Sequence, residues 1–210
     1  MVVCQKFIFV SVSNVDAPSP YARQMAPRRD PGRRLSDEDW IQAGFALLAD
    51  SGPNALRVDR LCKRMNVTKG SFYWHFADTQ AYRTALIEAW GDLNDDHRRP
   101  FDDMRDVDPR ERLALMMRTW VTPQQWDLER AMRAWALTDE TVLASVQRSD
   151  RRILRAVTQA FGDYGFGPEN AALRATVMVA AGIGFLHGSD SVGYASEELR
   201  ERFLDFMLRP

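Results

Sequence analysis

Histidine and cysteine are the side chains that most often bind metals or act as nucleophiles, and this 210-residue sequence has three histidines and two cysteines. His75, His97 and His187 lie far apart, and none stands at a metal-ligand spacing from a cysteine or an acid. Cys4 and Cys62 are too few for a disulfide scaffold or a four-cysteine zinc site. The sequence also lacks a glycine-rich phosphate loop and a Gly-x-Ser-x-Gly nucleophile elbow. We therefore predict that the protein is not an enzyme and needs no metal or cofactor.

A cluster of aspartates between residues 92 and 108 is the remaining candidate for cation binding. Its members are Asp92, Asp95, Asp96, Asp102, Asp103, Asp106 and Asp108. A run of like charges is far more often a solvated segment than a ligand set, because the charges repel one another and favour exposure to water. We interpret this cluster as part of a linker.

The overall composition is that of a globular protein. The chain is 45% hydrophobic and 27% charged, which excludes the disordered and fibrous classes. Its longest apolar stretch, from Ala175 to His187, is shorter than the roughly 20 residues of a membrane-spanning helix. Scarce cysteine fits a reducing compartment. We expect a cytoplasmic protein without a membrane partner.

Positive charge is concentrated near the N-terminal end of the chain. Residues 23–76 contain ten Arg or Lys and six Asp or Glu, a net charge of +4. Residues 77–210 contain 17 basic and 22 acidic residues, a net charge of −5. This division is typical of a polyanion-binding module joined to a domain with another role.

The polar and aromatic run from Thr68 to Phe76 lies inside the basic segment, and short helices are predicted around it. Ser36 and Asp39 form a variant capping box at the start of a first helix, and apolar residues at helical spacing predict a second helix that ends near Asn66. Asn tolerates the left-handed conformation of a tight turn, and Thr68 can cap a third helix. Two short helices joined by a tight turn are typical of a helix-turn-helix, whose second helix enters the major groove of DNA.

Helical periodicity continues to the C-terminal end, so the predicted fold is all-α. Residues 1–35 contain four prolines and no helical period, which predicts a flexible leader. An equal alternative is that translation begins at Met25. Residues 36–80 are predicted to form a three-helix DNA-binding domain, and residues 81–210 a second helical domain.

The run from Leu35 to Leu86, and above all Val67 to Phe76, resembles the DNA-binding domain of the tetracycline-repressor (TetR) family of bacterial transcriptional regulators. The resemblance implies a homodimer that binds a double-stranded DNA operator and an effector, with residues 81–210 as the effector-binding and dimerisation domain. It implies DNA contacts by Arg57, Lys63, Thr68, Lys69, Gly70, Ser71, Tyr73, Trp74 and His75. Tyr73 and His75 would bind phosphates, whereas Phe72 and Phe76 would be core.

The sequence departs from the family pattern at two positions. Relatives usually carry a phosphate-binding Lys near the start of the fourth helix, where this chain has Thr79 beside Asp78. Relatives usually open the second helix with Ser or Thr, where this chain has Arg57, which cannot cap the helix but could reach a phosphate. Arginines just before the first helix enter the minor groove in some relatives. Here these are Arg28, Arg29, Arg33 and Arg34, for which a solvated leader is the alternative.

The second domain offers a dimer segment and a set of candidate effector contacts. Glu169 to His187 is apolar on nearly every face, which predicts burial by its own domain and by a partner. The resemblance implies that the last helix, with Leu199, Phe203 and Phe206 on one face, completes the interface. Bulky apolar residues suited to a hydrophobic effector are Met116, Trp120, Met132, Trp135, Phe161 and Phe185, although residues of this kind are more often ordinary core than ligand contacts. We predict a repressor released from a palindromic operator by a small hydrophobic ligand, with a ligand-independent architectural DNA-binding dimer as the alternative.

Overall fold

The computed structural model describes residues 34–102, 104, 106–120, 123–192 and 196–210. The predicted leader lies outside the described residues apart from Arg34 and Leu35. The helices of the described part are α1 (Asp37–Ser51), α2 (Val58–Met65), α3 (Lys69–His75), α4 (Thr79–Asp102), α5 (Pro109–Trp120), α6 (Pro123–Ala136), α7 (Glu140–Tyr164), α8 (Pro168–Val192) and α9 (Glu197–Met207). A short 3₁₀ helix, Pro53–Ala55, follows α1. These ranges contain no strand, and the predicted all-α fold is confirmed.

Local capping interactions set the ends of the first helices. Ser36 and Asp39 form the predicted capping box: the Asp39 carboxylate accepts from the Ser36 backbone N–H at 2.7 Å, and the Ser36 hydroxyl accepts from the Asp39 N–H at 3.3 Å. Asn66 has the predicted left-handed conformation, with φ 52°, after α2. Asp78 accepts from the Ala81 N–H at 2.7 Å and so caps α4. Thr68 is the N-cap residue of α3, but its hydroxyl makes no capping hydrogen bond, contrary to our expectation.

Two hydrophobic cores hold the helices together. The first combines buried residues of α1–α4 with residues of α6 and α7, among them Met132 and Trp135. The second joins α5, the C-terminal half of α7, α8 and α9. The first core therefore extends beyond residue 80, where the sequence suggested a domain boundary, because α1 packs directly on α6.

Helix α7 is the central element of the second half, since it contacts α4, α5, α6 and α8. Ion pairs join α7 to neighbouring helices, among them one to α5 and one to α6. Arg112 of α5 is almost fully buried and donates to Asp163 at 2.6 Å. Arg133 of α6 donates to Asp150 of α7 at 2.6 Å. Each pair ties a surrounding helix to α7.

Helix α8 contains a longer apolar stretch than we expected from the sequence. Its residues Pro168–Gly188 form a stretch of 21 residues with mean hydropathy 1.4, long and apolar enough for a span by length and composition. Only 28% of the most apolar window is buried. One side of α8 packs into the second core through Ala171, Ala175 and Met178. The other side leaves Leu173 and Val177 exposed.

Candidate nucleic-acid interface

Helix α3 is held in place by a cluster of aromatic rings behind it. Phe72 is fully buried and lies edge-on to Trp40 of α1 and to Tyr82 of α4, with ring centroids 5.4 Å apart in both pairs. Phe76 packs on Tyr82 at 4.9 Å. Burial raises the pKa of the Tyr82 hydroxyl, which stays neutral and donates to the Trp40 carbonyl at 2.8 Å. The core positions predicted for Phe72 and Phe76 are confirmed.

The outer side of α3 carries the side chains that the sequence singled out. Thr68, Lys69 and Gly70 are exposed at its start. Tyr73 is 54% exposed and Trp74 is 74% exposed, although both are large aromatic residues. An exposed helix start that combines a cation, a hydroxyl and two unburied rings can bind phosphates and base edges. Ser71, the next residue of α3, is half-buried.

Glycine at position 70 is not demanded by the fold of this chain. A Cβ atom built there would meet only the Thr68 side-chain oxygen, at 3.7 Å, which is an ordinary contact. The open space around Gly70 leaves room for another molecule to approach the backbone of α3.

His75 is placed differently from its expected role in phosphate binding. Its side chain is only 5% exposed, and its Nδ1 atom lies 2.6 Å from a carboxylate oxygen of Asp37 in the first turn of α1. The ring also packs on Trp40, with centroids 6.1 Å apart. The structure therefore turns His75 toward α1, where it braces the end of α3.

Asp37 is the residue that sequence reasoning missed. Its partner lies 38 positions along the chain, so no local pattern links the two residues.

The two candidate cations of α2 lie outside the core. Arg57 precedes the helix, and its side chain is 67% exposed and pairs with Asp59 at 3.3 Å. Lys63 is exposed in the last turn. Thr79, which replaces the expected Lys, is exposed at the start of α4 beside the capping Asp78. Exposed ion pairs contribute about 0–1 kcal/mol, so Arg57 can exchange Asp59 for a phosphate at little cost.

The six candidate effector contacts do not converge on one place. Met132 and Trp135 belong to the first core, where Trp135 also stacks under the Arg83 guanidinium at 5.0 Å. Met116 and Phe161 belong to the second core. Phe185 is half-buried, and the Trp120 side chain lies outside the described part of the chain. Apolar character predicted burial for these residues but did not predict which core each one joins.

Comparison with known proteins gives one family. The model for bacterial regulatory proteins of the tetR family matches residues 41–82, which run from α1 into α4. The tetracycline repressor protein class C of Escherichia coli is 37% identical over 70 residues, 33% of this chain and 32% of that protein. The chain thus aligns with about a third of the length of this characterised relative.

Similarity to solved structures extends over most of the chain. A TetR-like transcriptional regulator from Rhodococcus sp. RHA1 aligns with a TM-score of 0.65 at 17% identity, covering 86% of this chain and 96% of that one. A protein from Saccharomonospora viridis in complex with choline aligns with a TM-score of 0.64 at 16% identity, covering 81% and 94%. These similarities concern the fold. Residues 41–82 are thus similar to the bacterial regulatory proteins of the tetR family, and the fold is similar to that of a TetR-like transcriptional regulator.

Proposed function

We propose that this protein is a transcriptional repressor that binds a palindromic operator as a homodimer and is released from it by a small hydrophobic ligand. The observation that carries the proposal is the exposed outer side of α3, where Tyr73 and Trp74 are unburied while Phe72 behind them is fully buried. Tyr and Trp side chains have only two rotatable torsions, so docking them on DNA costs little conformational entropy. Such a regulator acts on the chromosome, in the bacterial cytoplasm.

Exposed apolar side chains on α8 and on α9 support the homodimer. On α8, Leu173 is 62% exposed and Val177 is 44% exposed, and two small exposed residues continue this row at helical spacing. On α9, two large apolar side chains are 49% and 65% exposed. We name these six residues the α8–α9 face: Leu173, Val177, Ala180, Gly184, Leu199 and Phe206. An apolar surface of this kind marks an interaction site.

Pairing of two α8–α9 faces would set the distance between two α3 helices. Helix-turn-helix dimers read half-sites one or more helical turns apart, so this spacing decides which operator fits. Helix α6 contacts both α1 and α7, and it therefore connects the DNA-binding helices with the second core. A ligand that binds more tightly to the arrangement with the wrong spacing would release the operator.

A DNA-binding dimer without a ligand switch is the second candidate. Met132, Trp135 and Phe161 are at most 1% exposed and pack on other core residues. Because these side chains occupy the interior, they leave no room among themselves for an effector, which favours the ligand-independent dimer. Ligands that raise the melting temperature and also lower operator affinity would support the switch. Ligands that do neither, across a broad hydrophobic set, would support the alternative.

Selection of sheared genomic DNA on the purified protein tests the proposed function directly. The expected result is enrichment of a pseudo-palindromic sequence at near-physiological salt with competitor DNA, because non-specific binding is weakened by salt. Failure to enrich any sequence would contradict operator binding.

Substitution of Lys69 or Tyr73 tests the assigned interface. We expect Lys69→Ala to raise the operator Kd about 10-fold or more, since a good base contact is worth about 1–3 kcal/mol. Tyr73→Phe, which loses one hydroxyl, should raise it about 5-fold. Fluorescence anisotropy measures the Kd, and sedimentation should find both variants dimeric.

Arg155→Ala provides a charge-matched control for Lys69→Ala. Arg155 is exposed on α7, away from α3, and its replacement should leave the Kd unchanged. Loss of dimerisation in the Lys69 or Tyr73 variant would contradict the division of roles between α3 and the α8–α9 face.

A further inference from the structure

A shallow cavity lies between the residues that lead into α1 and the outer side of α3. Its volume is about 280 Å³, and it is lined by Arg34, Leu35, Ser71, Trp74 and His75. The cavity thus joins a residue of the predicted arginine arm to the helix assigned to the DNA groove. Neither the family match, which begins at residue 41, nor the expected minor-groove role of the arm accounts for it.

One wall of the cavity is formed by the side chains of His75 and Trp74. The His75 side chain is 5% exposed, and the Asp37 carboxylate holds it at 2.6 Å. The Trp74 ring stands edge-on to the His75 ring, with centroids 4.7 Å apart. Because His75 is anchored on α1, Trp74 has a rigid support even though it is 74% exposed.

The rim of the cavity carries a positive charge, that of Arg34. Arg34 is exposed, and in the described part of the chain no hydrogen bond or ion pair engages its guanidinium. By contrast, Arg57 pairs with Asp59 and Arg64 pairs with Asp50. Residues 34–80 contain six Arg or Lys and six Asp or Glu, so this part has no excess of positive charge. Each unpaired cation therefore matters for attraction to a polyanion.

The combination of groups matches one unit of a DNA backbone. Arg34 and the Ser71 hydroxyl can donate to phosphate oxygens, and the indole of Trp74 with Leu35 offers apolar surface to a sugar. We propose that this cavity is a backbone subsite that holds one phosphate and its deoxyribose between Arg34 and Trp74, a role that rests on the proposed operator binding. A backbone contact here fixes the position of α3 along the groove without reading the sequence.

The salt dependence of operator binding tests the charge at this subsite. Each phosphate neutralised by a cation contributes about 0.9 to the slope of log K against log salt. With two subsites per dimer, Arg34→Ala should reduce the magnitude of the slope by about 1.8. Trp74→Ala should weaken binding with little change in slope, because it removes no charge. Arg155→Ala should leave both quantities unchanged.

Neutral methylphosphonate linkages, placed one at a time in the selected operator, locate the contact. At one position in each half-site, the substitution should weaken binding of the wild-type protein but not of Arg34→Ala. Two results would contradict the subsite even if the wild-type protein binds its operator. One is that the methylphosphonate linkage and Arg34→Ala weaken binding independently of each other at every position. The other is that Arg34→Ala leaves the salt slope unchanged. If the wild-type protein binds no operator, the result contradicts the proposed function itself, and the subsite that depends on it is contradicted as well.

Discussion

Leu173→Glu is expected to convert the proposed homodimer into a monomer and to weaken operator binding by at least about 100-fold. Leu173 is 62% exposed in the protomer, so the substitution leaves the monomer fold intact. In an isologous dimer the same substitution appears twice at one interface. Burying an unpaired carboxylate costs several kcal/mol. Linking two DNA-binding units in a dimer raises the operator affinity by about 10²–10⁴-fold, and a monomer loses this gain.

Sedimentation velocity and anisotropy on the same samples check this prediction. Val177→Arg, which places the opposite charge one turn along α8, should have the same two effects. Leu137→Glu is the matched control, since Leu137 is 85% exposed but lies in the turn after α6. A Leu173→Glu protein that remains dimeric and binds DNA normally would show that the α8–α9 face is not the dimer interface.

Most helix ends that depend on neighbouring residues were predictable from the sequence, the missing capping hydrogen bond of Thr68 being the exception. Ser36 with Asp39, Asn66 and Asp78 each set a helix end through local contacts. The core positions of Phe72 and Phe76 were expected from the resemblance of this segment to the TetR family, and both side chains are buried. The helix-turn-helix follows from these local rules.

The parts that depend on distant contacts were not predictable in the same way. His75 looks like a polar surface residue in sequence, and only the approach of α1 to the end of α3 gives it Asp37 as a partner. Met132 and Met116 have the same apolar character, but the first packs with α1–α4 and the second with α8 and α9. Periodicity predicts which side of a helix is buried, whereas the partner of that side is decided by the tertiary fold.

Gly44→Ala is expected to destabilise the DNA-binding helices by about 2–4 kcal/mol, although alanine favours a helix over glycine by about 1 kcal/mol. A Cβ atom at position 44 would lie 2.1 Å from the Tyr82 hydroxyl oxygen and 2.8 Å from a methyl carbon of Leu86. Tyr82 cannot yield easily, because it is 2% exposed and packs on Phe72 and Phe76. Moving it would also break its 2.8 Å hydrogen bond to the carbonyl of residue 40.

Urea denaturation at a fixed protomer concentration measures this effect, since the stability of a dimer depends on concentration. Gly162→Ala is the control: Gly162 lies in α7, and a Cβ atom there would have no neighbour within 4 Å, so alanine should be neutral or stabilising by up to about 1 kcal/mol. In a Gly44→Ala/Tyr82→Phe protein the hydroxyl oxygen is gone, so part of the lost stability should return. Equal stability of the Gly44→Ala and wild-type proteins would contradict the tight packing of α1 on α4.

The same substitution should also weaken DNA binding. Tyr82 packs on Phe72 and Phe76, the rings behind α3, so the operator Kd of Gly44→Ala should rise together with the loss of stability.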